Sequence, residues 1–264
     1  MTREELNEQI RLKGSFLCIG LDTDLRRIPE HLLREERPVL AFNKAIIEAT
    51  QDLCVAYKIN TAFYEARGAE GWRDLEDTFA LIPDEIFTIA DAKRADIGNT
   101  SAQYARAFFE QMDVDALTLA PYMGRDSIAP FLEYRDKWSI LLALTSNPGS
   151  RDFQMWPEGG EPLYRRVLQE AASWAGPDQL MFVVGATHPE KLAEIRALVP
   201  EHFFLVPGVG AQGGDLRAVA EAAMTERGGL LVNSSRGIIY AGSGRDFAER
   251  ARGVAVSLVG GACL

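Results

Sequence analysis

The chain has 264 residues, 47% hydrophobic and 25% charged, with a formal net charge of −10 and a pI near 4.9. An acidic balance of this kind argues against a nucleic-acid or membrane-surface partner, which needs a basic stripe. It leaves room for an anionic small molecule, because a few local cations override the global field.

The start, Met1-Thr-Arg-Glu-Glu-Leu-Asn-Glu8, is too polar for a secretory signal. No apolar run approaches the length of a membrane span. The three cysteines, Cys18, Cys54 and Cys263, have no metal-ligand spacing. They read as buried free thiols of a reducing compartment, so a cytoplasmic location is expected. The three histidines, His31, His188 and His202, are scattered, which speaks against a histidine metal site or a Ser-His-Asp triad.

Taken in order, residues 2–12 place Leu6 and Ile10 on one helical face, and Thr2 with Glu5 has capping-box spacing. An apolar strand, Ser15 to Leu21, follows and delivers Asp22 at its C-terminal end, on the face of Phe16, Cys18 and Gly20. Asp22 by itself reads as a turn or helix cap. A helix over 38–51 leads to a second strand, Leu53–Asn60, apolar except for Lys58. A lysine there either snorkels to the surface or is paired or working.

A helix over 68–80 precedes the third strand, Ile86-Phe-Thr-Ile-Ala, which ends in Asp91-Ala-Lys93-Arg-Ala-Asp96. The period of two puts Asp91 and Lys93 on the face of Phe87 and Ile89, with Asp96 in the loop beyond. Asp-x-Lys alone is compatible with a plain salt bridge at a strand end.

The pattern continues with a helix over 100–111, a strand over 116–120 and a helix over 126–135. A fifth strand, 139–145, runs into the longest aperiodic stretch, 146–160, and long loops in compact domains are usually functional. Then come a helix over 161–175, a strand over 180–186, a helix to Val199 and a strand from His202 to Pro207. Gly208-Val-Gly-Ala-Gln212-Gly-Gly214 opens the next helix, and an eighth strand over 229–233 ends in Ser234-Ser235-Arg236-Gly237. A helix over 244–259 closes the chain.

Eight apolar strands, each followed by a helix, predict a single-domain α/β protein over residues 1–264. It is a (β/α)8 TIM barrel of the usual length, about 250 residues, with a short extra N-terminal helix. In such a barrel the active site lies at the C-terminal ends of the strands. Asp22, Lys58, Asp91, Lys93 and Asp96 all fall there, and five charged groups converging on one mouth need a shared purpose. The glycine-rich stretch after strand seven and Arg236 after strand eight suit an anion, most simply a phosphate.

The segment Asp91-Ala-Lys93-Arg-Ala-Asp96-Ile-Gly-Asn-Thr100, with Lys58 one strand earlier and Pro207-Gly-Val-Gly-Ala-Gln212-Gly-Gly214 later, resembles the orotidine 5'-phosphate decarboxylase family. Asn60-Thr-Ala-Phe-Tyr-Glu65 and Ser146-Asn-Pro-Gly149 resemble its longer bacterial branch, type 2. The resemblance covers essentially the whole barrel. It implies conversion of orotidine 5'-phosphate (OMP) to uridine 5'-phosphate (UMP) in de novo pyrimidine biosynthesis, without metal or organic cofactor, by a homodimer. Lys58, Asp91, Lys93 and Asp96 match the family's charged tetrad, and Lys93 would protonate C6. Asp96 and Thr100 would come from the partner subunit. Asp22, Lys58 and Thr100 would hold the ribose hydroxyls, and Ser146 would read the pyrimidine edge. Gln212 and Arg236, with backbone amides near Ser235 and Arg236, would hold the phosphate. Sister barrels that share Asp-x-Lys-x-x-Asp, the hexulose-phosphate synthases and ketogulonate-phosphate decarboxylases, bind magnesium and carry a carboxylate in place of Lys58.

Overall fold

A computed structural model of the protein describes residues 1–157, 159–186, 189–208, 216–226 and 228–261. Within them eight parallel strands close into a barrel in sequence order, the last pairing with the first. The strands are β1 (Leu17–Gly20), β2 (Ala56–Asn60), β3 (Phe87–Arg94), β4 (Ala116–Leu119), β5 (Trp138–Leu144), β6 (Leu180–Val184), β7 (Phe203–Pro207) and β8 (Leu230–Ser234). Most are buried along their length, as expected for strands with helices on one side and a packed barrel on the other. The (β/α)8 reading therefore holds.

Helix α1 (Arg3–Lys13) lies by the N-terminal ends of the strands, where the Met1 ammonium meets Asp115 and Arg3 donates to the Glu201 carbonyl. The longer helices that follow the strands are α2 (Pro38–Thr50), α3 (Gly68–Ala80), α4 (Gly98–Ala105), α5 (Arg125–Leu132), α6 (Leu163–Ala172), α7 (Pro189–Leu198), α8 (Leu216–Ala223) and α9 (Phe247–Gly261). The Thr2–Glu5 capping box forms as read: the Thr2 hydroxyl accepts the Glu5 N–H, and Glu5 accepts the Thr2 N–H. At the other end of α1, Gly14 takes a left-handed φ of 55° and bonds back to the last turn, a conformation glycine adopts without penalty.

Several boundaries differ from the sequence pattern, each for a local reason. Beyond α4 the coil widens into a π-helix over Arg106–Gln111. Helix α5 stops at Leu132 rather than 135, because the carbonyls of Leu132 and Tyr134 accept from the side-chain amide of Gln179. Strand β8 starts one residue late: Gly229 has a φ of 86°, and its carbonyl accepts from Arg196 Nη2 as well as from the Phe204 N–H.

The N-terminal end of the barrel is closed by aromatic side chains from alternate strands. Phe87, Trp138 and Phe203, the first residues of β3, β5 and β7, meet edge to face with ring centroids 6.0 and 6.2 Å apart. Layering from alternate strands is the expected barrel filling, and edge-to-face pairs suit the ring quadrupoles. The buried indole N–H of Trp138 donates to the Met1 carbonyl. With that end plugged, an opening can form only at the other.

Candidate active site

The mouth at the C-terminal ends of the strands holds a cavity of about 320 Å³. Its chemistry is organised by Asp91. Strand β2 pairs with β3 so that Asn60 lies opposite Asp91 and Lys58 opposite Ile89. Lys58 Nζ donates to Asp91 Oδ2 at 2.9 Å and lies 3.5 Å from Asp22 Oδ1. Lys93 Nζ donates to Asp91 Oδ1 at 2.5 Å. The pairing of β1 with β2 continues one residue beyond β1, through Leu21 N–H to the Lys58 carbonyl, and so brings Asp22 to the same place.

Lys58 is 5% exposed, which rules out the snorkelling alternative. Burial by itself would push its pKa down, but the charges of Asp91 and Asp22 outweigh that and hold it well above the ordinary lysine range. Asp91 shows the converse. Burial raises it, and the charges of Lys58 and Lys93 more than offset this, so it stays below the usual carboxylate range. Asp22 Oδ1 is buried and accepts no hydrogen bond among the described residues; what faces it is the Lys58 ammonium at 3.5 Å.

The geometry at Lys93 departs from simple alternation. Lys93 has a left-handed φ of 50°, and the β3–β4 register shifts between Ala90 and Arg94. The period-two face of Phe87 and Ile89 therefore does not extend to Lys93, whose side chain is 46% exposed. Its ammonium meets Asp91 because the backbone turns there.

Around the cavity the groups segregate. Lys58, Asp91 and Lys93 stand on β2 and β3, while Leu142, Val183 and Leu205 give an apolar wall from β5, β6 and β7. Ser146, Ser235 and Arg236 line the rim, and Arg236 has no carboxylate partner among the described residues. Two glycines make this rim possible. A Cβ on Gly20 would lie 1.7 Å from Ser235 Oγ, and one on Gly185 would lie 2.9 Å from Ser146 Cβ.

Seven of the sequence-predicted residues thus share one cavity: Asp22, Lys58, Asp91, Lys93, Ser146, Ser235 and Arg236. Asp96 and Thr100 do not, so the expectation of five converging charges in one chain is corrected to four. Past Lys93 the chain turns outward. The Asp96 N–H donates to Ser101 Oγ, which in turn donates to the Asp96 carbonyl, while Asp96 Oδ1 accepts the Ile97 N–H. Thr100 is exposed on α4. Gln212 and most of the glycine-rich stretch lie outside the described residues, as do His188 and Cys263.

Sequence reasoning passed over Thr118, which is fully buried and donates to Asp91 Oδ1 at 2.9 Å. It also passed over Asn60 and Asn233, which line the cavity. The signal was present for Thr118, a polar residue in the apolar run Ala116-Leu-Thr-Leu-Ala120.

Within the aperiodic stretch after β5, Gln154 bonds back to the strand's end. Gln154 accepts the Thr145 N–H at 2.7 Å and donates to Thr145 Oγ1 at 2.9 Å. A larger hollow of about 750 Å³ lies in this stretch, beside Arg151 and Trp156, but brings together none of the charged groups above. Among the described residues no three His, Cys, Asp or Glu side chains are grouped to hold a metal ion, and no helix is long and apolar enough to cross a membrane.

Comparison with known proteins agrees with this arrangement. Residues 15–251 match the model of the orotidine 5'-phosphate decarboxylase / HUMPS family. A protein of Bacteroides fragilis (strain YCH46) named orotidine 5'-phosphate decarboxylase is 55% identical over 260 residues, covering 97% of this chain and 94% of that protein. The solved OMP decarboxylase of Leishmania donovani superposes with a TM-score of 0.82 at 36% identity, over 98% of this chain and 99% of that one. The UMP synthase of the same organism superposes with a TM-score of 0.84 at 38% identity, over 96% of this chain and 55% of that longer one. By the extent of these matches and by the charged strand ends they accompany, the chain belongs to the orotidine 5'-phosphate decarboxylase / HUMPS family.

Proposed function

We propose that the protein decarboxylates OMP to UMP, with Lys93 supplying the proton that replaces the carboxylate at C6. The observation that carries this reading is the Lys58–Asp91–Lys93 array, two ammonium groups on one buried carboxylate, facing a cavity with Arg236 at its rim. Lys58 also separates the decarboxylases from the magnesium-binding sister barrels, which carry a carboxylate at that strand.

The C6–carboxylate bond breaks, carbon dioxide leaves, and the electron pair stays on C6. A carbanion there has no neighbouring electron sink, so preorganised charge must meet it. The Lys93 ammonium faces it, then transfers one N–H proton to C6 and regains a proton from solvent. Asp91 aims that ammonium, and Lys58 keeps Asp91 ionised. The apolar wall of Leu142, Val183 and Leu205 favours an uncharged C6–H over the carboxylate it replaces.

In this reading Asp22 and Lys58 take the ribose hydroxyls, Ser146 the pyrimidine edge, and Arg236 with the amides near Ser235 the phosphate, joined by Gln212. Asp96 and Thr100 act in the partner's site of a homodimer, which accords with their outward placement on their own chain. The buried free thiols Cys18 and Cys54 fit a reducing cytoplasm. The test follows OMP loss by ultraviolet absorbance in the presence of a chelator. Turnover under chelation is expected; no turnover, or turnover restored only by magnesium, would sink the proposal.

A further inference from the structure

We infer that Thr118 on β4 is a positioning residue that sets both the backbone and the ammonium of Lys93. The inference rests on the reading of Lys93 as the proton donor and deepens it. Between Ala90 and Arg94 strand β3 advances four residues, while β4 advances two, from Leu117 to Leu119. Asp91, Ala92 and Lys93 therefore bulge out of the β3–β4 ladder, while Asp91 keeps its pairing with Asn60 of β2. Regular pairing resumes beyond them, where the Ala120 N–H donates to the Arg94 carbonyl at 3.0 Å. Arg94 is itself tied to Glu65 and lies over the Tyr104 ring.

Both ends of the bulge are thus anchored, and its middle would leave the Lys93 N–H without a ladder partner. The Thr118 hydroxyl fills that gap. It accepts the Lys93 N–H at 2.9 Å and donates its own proton to Asp91 Oδ1 at 2.9 Å. The same Oδ1 receives the Lys93 ammonium at 2.5 Å. Lys93 is therefore bound to Asp91 twice, directly through Nζ and through Thr118 from its backbone. This closed ring holds a non-glycine residue at a φ of 50°, where side chains are strained. Without the hydroxyl, the N–H is orphaned and the left-handed turn loses its restraint. The ammonium then moves relative to C6, although nothing that holds ribose or phosphate has been touched.

Thr118→Val keeps the shape and removes the hydroxyl; Thr118→Ser keeps the hydroxyl and removes a methyl. Steady-state OMP decarboxylation is measured for both, with UMP affinity and thermal unfolding as controls. In Thr118→Val, kcat is expected to fall about 10- to 100-fold, the range for a small misplacement of a reacting group. KM and UMP affinity should stay within about threefold, because uniform binding is intact. Thr118→Ser should recover kcat to within about fivefold of wild type, because the transition-state contact returns. A Val variant with kcat within about twofold of wild type, or a Ser variant no better than Val, overturns the inference. If Val does not fold, Thr118→Ala against Thr118→Ser makes the same comparison. Failure of both Val and Ala to fold, beside an active Ser variant, would assign Thr118 a structural role and also overturn it. Lys93→Ala, assayed alongside, separates the two ideas: turnover surviving in that variant removes the proton-donor reading whatever Thr118→Val does.

Discussion

Lys58 Nζ sits 2.9 Å from Asp91 Oδ2, with the two side chains only 6% and 11% exposed, so the cavity is built on a buried ion pair rather than a surface one. Taking two charges out of water is repaid only when the remaining polar sites are also satisfied. Here Asp91 accepts from Lys58, Lys93 and Thr118 together.

Breaking this pair from one side should therefore be harmful in a way that removing both sides is not. Lys58→Met is expected to lower unfolding stability by about 3 kcal/mol, at the lower end for a broken buried pair because Lys93 and Thr118 still face Asp91. The double variant Lys58→Met/Asp91→Leu should regain part of that loss, Asp22 still lacking its ammonium, and remain inactive. Urea unfolding of both variants checks this; equal stability of Lys58→Met and wild type would refute it. The sign with pH follows from Asp91 being held low. Its contribution is complete above pH about 4 and declines only as the pH falls towards the folded value.

Arg236 stands at the rim without a carboxylate partner among the described residues, so its removal should cost binding rather than fold. In Arg236→Ala, UMP should bind about 10- to 100-fold more weakly, the range for one charge-assisted contact. Uridine, which lacks the phosphate, should bind as it does to wild type. Calorimetric titration of both ligands checks this, and equal losses for uridine and UMP would move Arg236 away from the phosphate.

At the opposite end of the barrel, His202 is 7% exposed and packs on Phe182, with ring centroids 5.3 Å apart. Burial pushes its pKa from 6.5 down to about 4. The unfolded chain therefore binds a proton between these values that the folded chain refuses. Stability attributable to this site is intact above pH 6.5 and falls as the pH drops towards 4, by up to about 3 kcal/mol. His202→Leu should flatten that part of the stability profile between pH 7 and 4. An unchanged slope would show that His202 is not held neutral.

The shared-site reading of Asp96 gives a test by mixing. Asp96→Ala and Lys93→Ala subunits, each inactive alone, would form mixed dimers with one intact site. Statistical reassortment of a two-fold dimer predicts roughly one-quarter of wild-type turnover. Mixed dimers with no activity would place both residues in the same subunit's site.

How far the site could be read from the sequence depended on the kind of signal each residue carries. Lys58 stood out because a charge in an apolar strand demands a partner, and the parallel pairing of β2 and β3 supplies one; Asp22, alone an ordinary turn or cap, gained weight only beside the other charged strand ends. Thr118 escaped notice because threonine is an ordinary strand former, and its role emerges only from the bulge opposite it. The outward turn at Asp96 was equally hidden. It depends on a left-handed lysine, which no periodicity encodes. Gly20 and Gly185 matter through close approach to Ser235 and Ser146, contacts between segments far apart in the chain. Strand order needed only the repeating pattern, whereas helix ends were set by distant groups such as Gln179.

The most direct measurement is the turnover of Lys93→Ala on OMP, taken together with its UMP affinity and thermal midpoint. Loss of the general acid should lower kcat by about 100- to 10,000-fold, with UMP affinity changed by no more than about fivefold and the fold retained. A Lys93→Ala variant that keeps kcat within about tenfold of wild type would contradict the proton-donor role.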